Sequence, residues 1–376
     1  MRSLPCALAL LASAAASLAA EAPLLWGAIR WDAFVNASSN GTHSGVGEVV
    51  ARVLQPLQWH DRLPWYTAAL PNGSLTFDGS SPATMAAEIE MAVAAGLDHW
   101  VFDAYPDASD LSAALHAYLA ATTPGKAALK YALLLQGAQG QALPYAPAPL
   151  YAAHFARSDY RLVLGNRPLL HLFGPAATDF GRANWAGWAE ALRELAAGAA
   201  GVGRGAPYVV FQSANPAAGL AALRGINAAA GAPLVAALSS YYLPGASPAG
   251  TPFAAFAASG PAFWAALAAT GADVVPPVAA GWDNRPRNMT PVPWQPWVGD
   301  DYVVMPTPQE LADFVASAQE WDASGGGAAH NPARLALLSA WNEFDEGHYV
   351  GAVLPEHGGN ARLEAIGRVL RPQGAQ

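Results

Sequence analysis

LALLSAWNEFDEG, residues 335–347, is the stretch on which the reading of the fold turns. Positions 335–340 are all apolar or small, and the chain then switches at once to Trp341, Asn342, Glu343, Asp345 and Glu346. A strand exposed on one face alternates apolar and polar side chains, whereas a strand buried on both faces reads as an unbroken apolar run. The run 335–340 is of the second kind, and the abrupt change after it marks where the strand leaves the core.

Seven more short apolar runs precede it, at 24–29, 99–102, 130–135, 169–173, 208–211, 234–238 and 272–275. Ala-rich segments with helix-end signals separate them. Ser81-Pro82 offers an N-cap with proline at the first helical position, and Gly96 stops the segment that follows. Thr307-Pro308-Gln309-Glu310 is a capping box. Trp185, Trp188, Leu192 and Leu195 recur at helical spacing and are expected in the core. This alternation predicts βα units around a parallel sheet. Eight strands predict an α/β fold, a single (β/α)8 TIM barrel with extended βα loops, spanning residues 21–376. The composition, 53% hydrophobic and 12% charged, supplies its core.

In such a barrel the functional groups lie at the carboxyl ends of the strands, so residues directly after each apolar run are the candidates. They are Arg30, Trp31 and Asp32; Asp103 and Tyr105; Gln136; His171 on the fourth strand; Gln212 and Ser213; Tyr241 and Tyr242; Trp282 and Asp283 in GWDNRPR (281–287); and Trp341 with Asn342 before the two glutamates. An internal salt bridge is the other reading of Arg30 and Asp32, and an Asp283–Arg287 ion pair is expected to shape the 281–287 loop. Aromatic rings that meet the C–H face of a pyranose, beside short polar groups that bind hydroxyls, make the composition of a sugar-binding mouth. No Gly-rich loop opens a helix as a phosphate site would. The nine histidines are scattered without metal-ligand spacing, so neither metal nor cofactor is expected. A net charge of −9 argues against a nucleic-acid partner.

Cleavage of a glycosidic bond uses two carboxyl groups, one to protonate the leaving oxygen and one as base or nucleophile. Glu343 and Glu346 meet that need if a turn after the strand brings both to one cavity, with Asp345 pointing elsewhere. Acids at a helix N-terminus would give the same spacing. The stretch WNEFDEGHYV (341–350) resembles the W-N-E-W-x-E-G motif of glycoside hydrolase family 99 and the related WbsX-like proteins. GWDNRPR resembles the G-W-D-N-x-P-R block of the WbsX-like group, and GAIRWDAF (27–34), HDRLPWY (60–66) and EIEMAVAAGLDHWVFDAY (88–105) resemble its early blocks. The resemblance covers the chain from Trp26 to about Val350. It implies that Glu343 acts as base on the sugar 2-hydroxyl, through a 1,2-anhydro intermediate with retention. It implies further that Glu346 is general acid and then base, and that Asn342 orients hydroxyls. Phe344 stands where the family has tryptophan. The implied substrate is an α-linked oligo- or polysaccharide, mannoside or glucan. A WbsX-like glycosyltransferase and a non-catalytic carbohydrate-binding barrel remain as alternatives.

Residues 1–20 read as a cleaved signal peptide: Arg2, an apolar h-region, and small residues before Glu21. No later run is apolar for long enough to span a membrane. The sole cysteine, Cys6, falls within that segment, so no disulfide is expected in the rest of the chain. Sequons begin at Asn36, Asn40, Asn72 and Asn288. Together these features predict a secreted glycoprotein.

Overall fold

The computed structural model describes residues 23–35, 45–136, 148–174, 185–295 and 299–372; the expected signal segment and the sequons at Asn36 and Asn40 lie outside them. Among the described residues nine parallel strands form one ladder. In chain order they are β1 (Leu25–Arg30), β2 (His99–Ala104), β3 (Lys130–Gln136), β4 (Arg167–Phe173), β5 (Tyr208–Gln212), β6 (Val235–Ser239), β7 (Asp273–Val274), β8 (Pro277–Ala279) and β9 (Leu335–Ser339). Their order across the sheet is β7-β6-β5-β4-β3-β2-β1-β9-β8. The two ends of the ladder are thus only two residues apart in the chain, so the sheet curls back on itself as a TIM-barrel-like α/β fold.

All eight expected runs are strands, with one refinement. The seventh, 272–275, is followed at once by a further strand, β8, that the apolar runs did not include, and the two are separate because Pro276 and Pro277 carry no N–H to donate. The ladder changes partner there: the Val275 N–H donates to the Leu238 carbonyl on one side, and the Leu337 N–H donates to the Pro276 carbonyl on the other. Several strands also run past their apolar stretch. Asp103 pairs with Leu134, Gln136 with Phe173, and Gln212 with Ser239. These polar residues therefore belong to the sheet itself, which fixes their directions more tightly than a loop would.

Because successive side chains alternate faces, the strands build two cores. Ile29, Val101, Leu134, Leu169, Val210 and Leu337 pack together inside the curl. Trp26, Ala28, Trp100, Phe102, Leu133 and Leu338 pack outward against helical residues such as Met85, Ile89 and Leu311. The helices begin where their caps place them. Ser81 accepts from the Thr84 N–H at the start of Pro82–Ala94, and Thr307 and Glu310 complete the capping box of Pro308–Ala323. Among the described residues no helix is long and apolar enough to cross a membrane.

The inner core contains one fitted pair. His99 on β2 is buried beside Gly27 on β1, its partner in register, and its ring occupies the space where a β-carbon on residue 27 would lie. Gly27→Ala therefore overpacks the barrel and should cost about 1–3 kcal/mol. In an H99A background the same change should cost much less. Urea unfolding of the double-mutant cycle reads the coupling, and additive losses would refute the fit.

Candidate active site

After β9 the chain makes a tight hairpin. Asn342 pairs with Tyr349 and Glu343 with His348 in antiparallel register, joined by a short 3-10 turn, Phe344–Glu346. Gly347 closes the turn in the left-handed region, at φ 59°. A β-carbon there would press on the Asp283 side chain and the Arg62 guanidinium, so glycine is required twice over. The turn sends its side chains to different places. Phe344 enters the core against Phe34 and Tyr349, at ring-centroid distances of 5.1 and 4.7 Å. Asp345 turns to Arg287, whose Nε donates to it at 2.8 Å. Glu343 and Glu346 are both buried, and close enough for the charge of one to act on the other.

Glu343 is held from two sides. The Tyr241 hydroxyl, just beyond β6, donates to Oε1, and His348 Nδ1 lies 2.8 Å from Oε2. Glu346 is held differently. Arg287 Nη1 pairs with its Oε1 at 2.7 Å. With the Asn284 amide oriented to suit its neighbours, its nitrogen donates to Glu346 Oε2 at 3.1 Å and its oxygen accepts from Trp282 Nε1 at 3.2 Å. Burial pushes the Glu346 carboxyl up to about 8; the Arg287 charge opposes the shift, and Glu343 and Asp345 add to it. Burial also holds Asp103 well above the usual carboxylate range; the Tyr105 hydroxyl opposes this and the nearby charge of Glu343 adds to it.

Asp103 continues the inward row of β2. It accepts from the Tyr105 hydroxyl at 3.0 Å and from the Gln136 amide, and Tyr105 in turn accepts from Trp31 Nε1 at 3.0 Å. Deeper on the inward faces, His171 Nδ1 and Gln212 Nε2 are 2.7 Å apart, and burial lowers His171 to about 3, so it is neutral. Aromatic side chains flank this group of residues. Trp282 packs 5.3 Å from Tyr242 and 5.5 Å from His348, and Trp31 meets Trp294 edge-on at 5.8 Å. The Arg287 guanidinium lies 5.1 and 5.8 Å from the Trp31 and Trp294 rings.

The structure thus brings together Glu343, Glu346, Tyr241, Asp103, Tyr105, Gln136 and Trp282. Other candidates are placed elsewhere. Trp341 is fully buried on the outer face, edge-on to Trp100 at 5.2 Å, with Nε1 donating to Glu88 at 2.9 Å. Arg30 also faces outward, bridging Asp32 and Glu88 at 2.8 Å each beneath the Trp100 ring. Its salt-bridge reading is the one observed. Asp32 also accepts from Asn342 Nδ2 at 2.8 Å, while Asn342 Oδ1 accepts from the Trp31 N–H at 3.0 Å. Both amide ends of Asn342 are thus engaged in tying the end of β9 to the end of β1. Asp283 is fully buried between Arg62 and Arg285, the latter at 2.7 Å. The expected Asp283–Arg287 pair does not form, because the short helix Arg285–Met289 turns Arg287 toward the glutamates. His348, Arg287 and Asn284 escaped sequence reasoning as site residues. The signal for His348 was Gly347 itself, since a tight turn there sets position 348 opposite 343.

Among the described residues no group of three or more His, Cys, Asp or Glu is arranged to hold a metal ion. By sequence, no family model and no curated protein matches the chain. Solved structures do. A family-99 (GH99) endo-α-mannosidase from Bacteroides thetaiotaomicron, in complex with bis-tris-propane, superposes with a TM-score of 0.53 at 14% identity, covering 92% of this chain and 95% of that one. A second structure of a GH99 endo-α-mannosidase from that organism gives 0.52 at 12% identity, covering 92% and 96%. The chain has a GH99-like fold.

Arg287 is the cation between Asp345 and Glu346, buried with both. Replacing it by Met leaves carboxyls without their partner and should destabilise the protein by about 3–5 kcal/mol. Adding Asp345→Asn should recover part of that loss. Urea unfolding at neutral pH checks both, and an R287M protein as stable as wild type would contradict the assignment.

Proposed function

We propose that the protein is a glycoside hydrolase that cleaves an α-linked glycan, mannoside or glucan in type, with retention of anomeric configuration. The observation that carries this reading is the unequal treatment of two neighbouring buried carboxyls. Glu346 is pushed up to about 8 and so keeps its proton at neutral pH, as a general acid must. Among the described residues Glu343 has no guanidinium on it and is held instead by the Tyr241 hydroxyl and His348. The GH99-like fold supports the reading, since the structures that share it are those of endo-α-mannosidases.

In the proposed reaction Glu343 takes the proton of the sugar 2-hydroxyl as that oxygen attacks the anomeric carbon. The bond to the leaving oxygen breaks, and the leaving oxygen takes the proton of Glu346. The product of this step is a 1,2-anhydro sugar. Water then attacks the anomeric carbon and gives its proton to the Glu346 carboxylate. The C1–O2 bond opens, O2 recovers the proton from Glu343, and both glutamates return to their starting states.

The test is a hydrolysis screen over a panel of α-linked glycans with product analysis, on wild type beside Glu346→Gln. On any glycan that wild type cleaves, kcat should fall by ~10²–10⁴-fold in the variant. Full activity in E346Q would remove the assignment; calorimetric binding without turnover by wild type would favour a non-catalytic barrel. For wild type, kcat/KM should decline as pH rises through about 8, where the acid loses its proton. The same group costs stability as pH climbs from the ordinary carboxylate range toward 8, because the unfolded chain ionises there and the folded one does not. E346Q should therefore unfold at or above the wild-type Tm at pH 8.

We also propose that segment 1–20 directs the chain to secretion and that Asn72, not Asn288, carries an N-linked glycan. Asn72 is exposed at the turn between strands Thr67–Ala69 and Leu75–Phe77, with Oδ1 accepting from the Ser74 N–H and hydroxyl at 3.0 and 2.7 Å. The Asn288 amide nitrogen donates to the Gly299 carbonyl and to Asp300, at 2.9 and 2.7 Å, and a glycan there would break both contacts. Peptide mapping of protein secreted from a eukaryotic host should find glycan on the Asn72 peptide; glycan on the Asn288 peptide would overturn this.

A further inference from the structure

We infer that His348 is a positioning residue for Glu343, holding one oxygen of the carboxylate so that the base works from a single orientation. The task given to Glu343 rests on the hydrolase reading above; the contact does not.

Three observations carry the inference. First, His348 sits directly across the antiparallel pair from Glu343, so the backbone fixes the two residues relative to each other. Second, the donors reach Glu343 from separate elements. Tyr241 comes from the end of β6 to Oε1, and His348 comes from the returning arm of the hairpin to Oε2, at 2.8 Å. One donor leaves a carboxylate free to rotate about its last torsion, whereas donors on both oxygens fix its plane. Each oxygen has two acceptor sites, so both remain able to take a substrate proton. Third, the imidazole is itself confined: it is fully buried, with the Trp282 and Tyr241 rings at 5.5 and 6.1 Å.

The chemistry sets the tautomer. A carboxylate oxygen only accepts, so the contact requires the imidazole proton on Nδ1. Arg287 does not supply this function, since its contacts go to Asp345, Glu346 and Gln295. His348 is thus the group that supports Glu343 as Arg287 supports Glu346.

The test has two arms. In the first, H348L and H348N are compared with wild type on a glycan that wild type cleaves. Leucine removes the donor, whereas the asparagine amide nitrogen takes nearly the place of Nδ1. H348L should lose about 100-fold in kcat, the scale expected when a reacting group is displaced, with KM changed by less than about threefold. H348N should recover to within about tenfold of wild type. Wild-type kcat in H348L, or equal loss in both variants, would overturn the inference in favour of simple packing. The second arm needs neither turnover nor a variant of His348. In 15N-histidine-labelled wild type, one imidazole should show its proton fixed on Nδ1, with a resonance that shifts in E343Q; a bare Nδ1 would overturn the inference. If wild type cleaves no glycan in the panel, the hydrolase reading falls and the spectrum alone decides the contact.

Discussion

Asp103, Glu343, Asp345 and Glu346 bury four carboxyl groups within electrostatic reach of Glu343, and the guanidinium of Arg287 binds two of them. Burying an ionised carboxylate without a partner is expensive enough that the group changes protonation state instead. That excess of acid over base governs the rest of the site. Glu346 and Asp103 are both driven upward, chiefly by burial and further by the charge of Glu343. Glu343, which Arg287 does not contact, draws its donors from a tyrosine hydroxyl and a histidine.

Two further clusters of buried acids and arginines lie beside this group. Glu88 and Asp32 close on Arg30, and Asp283 closes on Arg62 and Arg285. These clusters join the ends of β1 and β9 to the helix Pro82–Ala94 on one side, and the 281–287 loop to the 3-10 turn Leu57–Arg62 on the other. Truncating one partner of such a cluster strands a buried charge, so these joins resist deformation.

Much of this was legible in the residues, for a physical reason. Parallel strands buried on both faces read as apolar runs, and a polar motif after such a run marks the mouth, which is how Glu343 and Glu346 could be placed together. The same double burial concealed which face each residue takes. In a half-exposed strand the polar positions reveal the parity, but here Trp26, Ala28, Ile29 and Val101 are all apolar whichever core they enter. Arg30 therefore looked like a rim residue, although it lies on the outward row with Trp26 and Ala28; Trp341, past the end of β9, packs outward on Trp100 although Leu335 and Leu337 of that strand face inward. Ion-pair partners in GWDNRPR were hidden for a different reason. Asp283 precedes a single helical turn, and only the direction of that turn decides that Arg285 folds back to Asp283 while Arg287 reaches Asp345 and Glu346.

The position where this chain departs from the family motif shows how far the resemblance extends. Phe344 stands where family 99 has a tryptophan, and the loss of an indole N–H would matter if that side chain faced the two glutamates. It does not. The 3-10 turn between Glu343 and Glu346 points residue 344 into the core beneath Phe34 and Tyr349, where an N–H would need a partner of its own. An apolar ring suits that place, and the substitution leaves Glu343 and Glu346 untouched. The side chains gathered around the two glutamates come from other parts of the fold. They are Trp282 packed on Tyr242, Trp31 packed on Trp294, and Asp103 with Tyr105 and Gln136. The motif sets both glutamates on one hairpin, while these neighbours follow the ends of β1, β2, β3, β6 and β8 and the helix Arg285–Met289, so the group exists only when the sheet has curled.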